Sequence, residues 1–333
     1  MNKKTKIAIN GFGRIGRNLF RLLLNHPTIE VVAINDIADT KTMAHLLKYD
    51  SIHGVLPYKV SADEKGILVE EDHFLFFHEK QIANLDWKSL DIDYVIESTG
   101  KYKTFEELNA HIIAGAKKVI LSAPSEVDSI KTVVIGVNDN ILDGTETIIS
   151  NASCTTNNAA PMMKVIDELC GIEQAYITTI HSYTTDQSLH DQPHKDLRRA
   201  RGASQSIVPT TTGAAKALTK IFPILDGKIG GCGIRVPVPD GSLTDITFNV
   251  KRAVTIDEIN EAFKYASQNN LKGILDYTED PIVSVDIIGN RNSCLFDAQL
   301  TSVIDKMVKV VGWYDNEIGY SSRIIDLILL TLK

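Results

Sequence analysis

At 333 residues the chain has room for two domains of ordinary size, and with 44% hydrophobic and 23% charged residues it has the material for packed cores. A net charge of −7 excludes a general phosphate-backbone binder, because nonspecific nucleic-acid affinity comes from many Lys and Arg side chains acting together, so no specific nucleic acid is expected as a partner. No run approaches the roughly 20 apolar residues of a membrane span, no signal-peptide core follows Lys3, Lys4 and Lys6, and the four cysteines lack metal-binding spacing; the expectation is a cytoplasmic protein with free thiols, no membrane partner and no metal.

Short β-branched runs alternate with helical patterns over the first 150 residues: Lys6–Asn10, a helix from Arg14 to Leu24, then Val31–Asn35, Tyr94–Ser98, Lys118–Ser122, Val133–Val137 and Ile148–Ser150. Strands separated by helices predict βαβ crossovers and a mainly parallel sheet of Rossmann type. In the first helix Ile15, Leu19, Leu22 and Leu23 share one apolar stripe.

Gly11-Phe12-Gly13-Arg14-Ile15-Gly16 follows the first strand and opens that helix, the context that gives a G-x-G-x-x-G match its meaning. Small residues let the backbone approach a pyrophosphate, whose charge sits at the positive end of the helix. Asp36 ends the next strand about 20 residues further on, where a carboxylate accepts from ribose hydroxyls and repels a 2′-phosphate, so NAD is favoured over NADP. The strand ends at Thr99-Gly100 and Ser122-Ala123-Pro124 belong to the same carboxyl edge.

Asn151-Ala152-Ser153-Cys154-Thr155-Thr156-Asn157 then joins a strand to a helical pattern. A thiol at a helix N-terminus gains thiolate stabilisation from unpaired N–H groups, so the expectation for Cys154 is a lowered pKa, while Cys170, Cys232 and Cys294 read as small buried hydrophobes. Pro161 lies inside this pattern and predicts a kink or a later helix start. His181, which ends an alternating run and precedes a polar loop, is the candidate general base.

The basic run Lys195, Arg198, Arg199 and Arg201 reads most simply as a solvated face. Further on, Ile246, Phe248 and Val250 alternate with polar residues, and Thr255-x-x-Glu258 is a capping box ahead of Ile256, Ile259 and Phe263 at helical spacing. Strand-like runs at Ile282–Ile288, Leu295–Leu300 and Met307–Tyr314 arrive without intervening helices, which predicts an α+β domain with a largely antiparallel sheet. Ile324–Leu332 is apolar almost all round as a helix and must be buried, packing back on the first domain. The expected division is 1–150, 151–315 and a returning helix over 316–333.

From Ile9 to Asp326 the chain resembles the phosphorylating glyceraldehyde-3-phosphate dehydrogenases. The resemblance is carried by Ile9 to Arg17, by Ser150 to Asn157, by His181-Ser182-Tyr183-Thr184, by Pro209 to Lys216 and by Trp313-Tyr314-Asp315-Asn316-Glu317. It implies NAD-dependent oxidation and phosphorylation of glyceraldehyde 3-phosphate through a thiohemiacetal and thioester on Cys154, with His181 as the acid and base. It assigns Gly11, Gly13, Arg14, Ile15, Gly16, Asp36, Ser122 and Asn316, and more loosely Lys80, to the cofactor. Thr184 and Arg235 are implied for the substrate phosphate; Ser153, Thr155, Arg199, Thr212 and Gly213, together with Cys154, surround the attacking inorganic phosphate. A homotetramer is implied as well, with the loop over 182–206 at a subunit interface. Asn158 stands where the family often has a second cysteine, Gln192-Pro193 replaces a commoner Leu-Pro, and Pro239-Asp240-Gly241-Ser242 departs from the commonest form of its loop. The alternatives within enzymes are an erythrose-4-phosphate dehydrogenase and an NADP-preferring biosynthetic paralogue.

Overall fold

The computed structural model describes residues 3–332, which form two compact units. The first comprises residues up to Val133, then Asn140–Ala152 and the C-terminal segment from Ser321; the second comprises Val134–Asp139 and Ser153–Tyr320.

The first unit is built on nine strands: β1 Thr5–Asn10, β2 Ile29–Asn35, β3 Val60–Ala62, β4 Gly66–Val69, β5 Asp72–Phe77, β6 Tyr94–Glu97, β7 Lys118–Leu121, β8 Lys131–Thr132 and β9 Ile148–Ser150. Their order across the sheet is β8-β9-β7-β6-β1-β2-β5-β4-β3. All pairs from β8 through β5 are parallel, and only β4 and β3 at one edge run antiparallel. The central strands β1 and β6 are almost wholly buried, as parallel strands covered on both faces must be. Helices α1 (Arg14–Leu23), α2 (Thr40–Lys48) and α3 (Phe105–Ile113) supply the connections. In α1 the stripe predicted from sequence is buried at Leu19 and Leu23, with Phe20 beside it.

Two expectations change here. Val133–Val137 is not a strand: pairing stops at Thr132, because Val134 N–H is taken by the Asn138 side chain and Gly136 adopts φ +78° in a turn. The strands β3, β4 and β5 were not anticipated: β3 has only three residues, and the apolar runs of β4 and β5 carry no clean alternation with polar residues.

The second unit carries β10 Ile172–Ser182, β11 Val208–Thr210, β12 Ile229–Val236, β13 Ser242–Val250, β14 Leu275–Thr278, β15 Cys294–Asp297, β16 Ser302–Ile304 and β17 Met307–Tyr314. The path β11-β12-β10-β13-β17-β15-β14, with β16 beside β17, is antiparallel except at β10–β12 and β14–β15. Helices α4 (Cys154–Cys170), α5 (Ala214–Ile221) and α6 (Ile256–Gln268) belong to this unit. Thr255 and Glu258 form the predicted capping box of α6, whose Ile259 and Phe263 are buried, Phe263 stacked on Phe296 at 3.8 Å between ring centres. The run Ile282–Ile288 contains a single 3-10 turn over Ser284–Ile287 rather than a strand, closed by the Asp286 carboxylate accepting from Val283 N–H.

Helix α7 (Ile318–Thr331) groups from Ser321 onward with the first unit, where Ile324, Leu327 and Ile328 are fully buried and Tyr94 Oη donates to Thr331 O at 3.1 Å. Among the described residues no helix is long and apolar enough to cross a membrane.

Candidate active site

Backbone sterics dictate the glycine-rich turn of the first unit. Gly11 sits at φ +95°, and a Cβ there would lie 2.6 Å from Thr99 N. At Gly16 a Cβ would lie 2.2 Å from the Gly11 carbonyl oxygen, so α1 approaches the turn as closely as it does only with glycine at that position. A Cβ on Gly13 would meet nothing within 4 Å, which leaves open space over the helix N-terminus, and no side chain caps that end. These are the features a pyrophosphate needs.

Beside the turn lies a cavity of about 420 Å³ lined by Gly11, Gly13, Asp36 and Lys80, together with Asn10, Asn35, Ser98, Thr99 and Tyr102. Asp36 accepts from Phe12 N–H at 2.7 Å and from Ala38 N–H at 3.0 Å, which leaves its remaining lone pairs for hydroxyl donors. The residues present fit the adenosine half of a dinucleotide. Ile15 follows in the first turn of α1. The Arg14 guanidinium is held by Asp50 through a two-pronged pair at 2.5 and 3.0 Å, so its side chain braces the fold. Burial works to raise the Asp50 carboxyl, but the Arg14 bonds and the His53 and Ile52 N–H groups outweigh it and hold Asp50 well below the ordinary range. Ser122 N–H donates to Glu97 O at 2.9 Å, and its side chain is not part of the cavity wall.

In the second unit Ser153 caps α4, its Oγ accepting from Thr156 N–H at 3.1 Å, and Cys154 is the first helical residue. Ala152, just before, is held at φ +56°, a conformation that favours glycine and that marks local strain at the turn. The helix runs from Cys154 past Pro161 to Cys170, so it does not start later. Asn158 is fully buried, its amide donating to Ser293 O and Trp313 O.

His181 lies near the end of β10, and its Nε2 is 3.5 Å from Cys154 Sγ. Parallel register sets His181 directly opposite Arg235 on β12. Arg235 Nη1 donates to Ser182 O at 2.8 Å and also stands 2.5 Å from His181 Nδ1, which itself lies 2.7 Å from Ser182 O. The tautomer decides what the imidazole can do. Arg235 Nη1 can only donate and so favours Nδ1 as an acceptor, whereas the Ser182 carbonyl favours a proton on Nδ1; a general base requires the second tautomer, in which Nε2 faces the sulfur as an acceptor.

Burial and the positive charges of Arg235 and Arg199 push the imidazole down to about 3, so His181 is neutral at physiological pH. The thiol departs from expectation. Burial is its largest influence and raises Cys154, against the opposing pull of Arg235 and the Thr155 N–H, so the helix end alone does not make a resting thiolate. The pair is therefore a thiol beside an unprotonated base, poised to transfer its proton as the sulfur attacks.

Around this pair Tyr314 stands edge-on to His181 at 5.9 Å and bonds Thr155 Oγ1 and Thr179 Oγ1 at 3.0 and 2.9 Å. Ser182 N–H donates to Ser242 Oγ, and Ser242 donates to Asn316 Oδ1 at 2.7 Å, which orients the Asn316 amide with its NH₂ as the remaining donor. Thr184 follows three residues after His181, its carbonyl accepting from Gln187 N–H at 2.9 Å. Arg199, far from a simple solvated charge, pairs with Asp186 and donates to Thr210 Oγ1 and Thr211 O. Thr212 and Gly213 come next along the chain, Thr212 Oγ1 accepting from Ala214 N–H and Gly213 preceding α5. Sequence reasoning passed over Asn10, Asn35, Tyr314 and Ser242; the pairs of asparagines at strand ends were the visible signal for the first two.

A glycine-turn dinucleotide unit followed by a unit with a thiol–imidazole pair defines the class: dehydrogenases that work through a covalent thiol adduct. Two family models match, and both describe domains of one family. Residues 5–105 match the glyceraldehyde 3-phosphate dehydrogenase NAD binding domain and residues 153–316 the C-terminal domain of the same family. Glyceraldehyde-3-phosphate dehydrogenase of Mycobacterium avium is 52% identical over 98% of both chains, and that of Geobacillus stearothermophilus is 52% identical over 97% of this chain and 96% of its own. Glyceraldehyde-3-phosphate dehydrogenase 2 of Streptomyces avermitilis is 53% identical over 97% of both. The chain belongs to the glyceraldehyde 3-phosphate dehydrogenase family.

Proposed function

We propose that the protein catalyses the NAD-dependent oxidation and phosphorylation of glyceraldehyde 3-phosphate to 1,3-bisphosphoglycerate. The observation that carries this reading is the 3.5 Å approach of Cys154 Sγ to His181 Nε2 in a chain of this family.

Cys154 attacks the aldehyde carbon to give a thiohemiacetal while His181 Nε2 takes the thiol proton. The new oxyanion is stabilised by His181 and by the Cys154 N–H at the start of α4. His181 returns that proton to the oxyanion and draws it back from the hydroxyl as the adduct is oxidised to a thioester; inorganic phosphate then cleaves the thioester to release an acyl phosphate, and His181 gives the proton to the departing sulfur to restore the thiol. NAD, when bound, supplies the hydride acceptor.

Arg235 and Thr184 are assigned to the substrate phosphate, and Arg199, Thr212, Gly213, Ser153 and Thr155 to the attacking phosphate. Guanidinium forks match phosphate oxygens in pairs, and the bond of Arg199 to Asp186 is one that an arriving phosphate would exchange for its own. The glycine turn, Arg14, Ile15, Asp36, Lys80 and Ser122 are assigned to NAD, with Asn316 for the nicotinamide amide. Functionally, residues 1–150 are the NAD-binding domain, 151–315 the catalytic domain and 316–333 the returning helix. A cytoplasmic homotetramer completes the proposal, supported by large apolar side chains left exposed at Leu189, Leu197 and Ile207.

The test is NADH formation from glyceraldehyde 3-phosphate with and without inorganic phosphate. Turnover that depends on phosphate, and on NAD in preference to NADP, is the expected result. Equal rates without phosphate would contradict the reading.

A further inference from the structure

Beneath the cofactor cavity of the first unit lies a buried polar network that the reaction itself does not use. Glu97, at the end of β6, is 1% exposed, and His111, on α3, is 0% exposed. Four donors converge on the two Glu97 oxygens. Oε1 accepts from Thr99 N–H at 2.9 Å and from the Thr99 hydroxyl; Oε2 accepts from Asn10 Nδ2 at 2.5 Å and from His111 Nε2 at 3.1 Å. The proton on His111 is located by its other neighbour. Trp87 Nε1, which can only donate, lies 3.0 Å from His111 Nδ1, so Nδ1 accepts and Nε2 carries the hydrogen that faces Glu97.

Stability alone does not account for this arrangement. Trp87, which bonds His111, belongs to an apolar cluster with Leu108, Val95 and Val119, and replacing both partners of a buried polar contact by apolar groups of the same shape is commonly neutral or stabilising. What the carboxylate does is gather donors from residues that line the cavity. Asn10 and Thr99 are both wall residues; Asn10 Oδ1 in turn accepts from Asn35 Nδ2 at 2.7 Å, and Asn35 holds both the N–H and the carbonyl of Glu79, another wall residue. Three strand ends and one loop are thus fixed to a single anion.

We infer that Glu97, oriented by His111 and Trp87, is the positioning residue for the adenosine side of the cofactor cavity, and that it sets NAD affinity without taking part in the chemistry. The inference rests on the reading that this cavity takes NAD. His111→Leu removes one donor from Glu97 and leaves Trp87 Nε1 unpaired, so the wall relaxes. Its Kd for NAD, titrated by calorimetry on the full-length enzyme, rises about tenfold, while kcat at saturating NAD stays within about twofold of wild type. His111→Gln restores most of the affinity, because the amide oxygen accepts from Trp87 and the amide nitrogen donates to Glu97. Should His111→Leu fail to fold, Thr99→Val, an exposed position that loses one hydroxyl donor to Glu97, still raises the Kd about threefold.

Unchanged NAD affinity in the foldable variants, a Gln variant as weak as the Leu variant, or a fall in kcat at saturating NAD would each overturn the inference. A wild-type enzyme that does not bind NAD at all would instead overturn the cofactor reading, and the two failures are distinguishable in one experiment.

Discussion

The glycine turn of the first unit and the thiol site of the second are controlled by different physics. Around Gly11 and Gly16 the constraint is steric: a single added Cβ would sit 2.6 or 2.2 Å from backbone atoms. Around Cys154 and His181 it is electrostatic: burial holds both in their neutral forms, and Arg235 acts on both, easing ionisation of the sulfur while resisting protonation of the ring. A steric site is damaged by adding atoms, whereas an electrostatic site is damaged by removing a charge or a proton acceptor.

Substitutions separate the two regimes. The largest effect is expected for Cys154→Ser, which removes the nucleophile and lowers kcat for aldehyde oxidation by about 10⁴-fold or more, with NAD affinity nearly unchanged; a hydroxyl beside the same imidazole is a much poorer nucleophile in this reaction. Next comes Arg235→Leu. Loss of the guanidinium lowers kcat/KM for glyceraldehyde 3-phosphate by about 100-fold, consistent with the loss of charge-assisted bonds to phosphate, and raises the pKa of His181 because one of the two cations opposing its protonation is gone. The shift is read from the acid limb of the pH–rate profile or by NMR of the ring.

Gly16→Ala tests the steric site. Its methyl group must displace the Gly11 carbonyl, with a cost of about 1–3 kcal/mol in stability by thermal or urea unfolding and a parallel loss of NAD affinity. Full stability with normal NAD binding would show that the approach of α1 to the turn is looser than described.

The smallest effect concerns pH. Asp240 is fully buried, and burial, with repulsion from Asp315 and Glu317, pushes its carboxyl up to about 8. The folded protein therefore keeps a proton that the unfolded chain releases near pH 4, so the contribution of this group to stability is complete below about 4 and declines as pH rises toward 8. Asp240→Asn removes that decline. Compared by urea unfolding at pH 5 and pH 8, the variant gains on the wild type at the higher pH by a few kcal/mol at most, and an identical pH dependence in both would rule out the shift.

Both units were legible in outline because their defining constraints are local. A glycine turn between a strand and a helix, and a cysteine at the start of a helix, are set by residues adjacent in the chain, and α1, α6 and β17 fall where periodicity and capping place them. The runs Val133–Val137 and Ile282–Ile288 misled because a short apolar stretch reports burial, not conformation. Distant partners stayed hidden. Arg235 stands beside His181 only through the register of β10 and β12, and Asn10 meets Glu97 across 87 residues of chain. The direction of the thiol shift was misjudged for the same reason: the helix end is visible in sequence, but the burial that outweighs it is assembled by the whole unit.

The pairing of sulfur and imidazole is tested most directly by the rate of Cys154 alkylation with iodoacetamide as a function of pH, followed on the Cys154 peptide by mass spectrometry, in wild type and His181→Asn. With Nε2 at 3.5 Å to take the proton, the wild-type thiol reacts about 10- to 100-fold faster near pH 7, and the two rates converge at strongly alkaline pH, where the thiol ionises unaided. Superimposable rates across the whole pH range would mean that His181 does not act on Cys154, and the mechanism would fail.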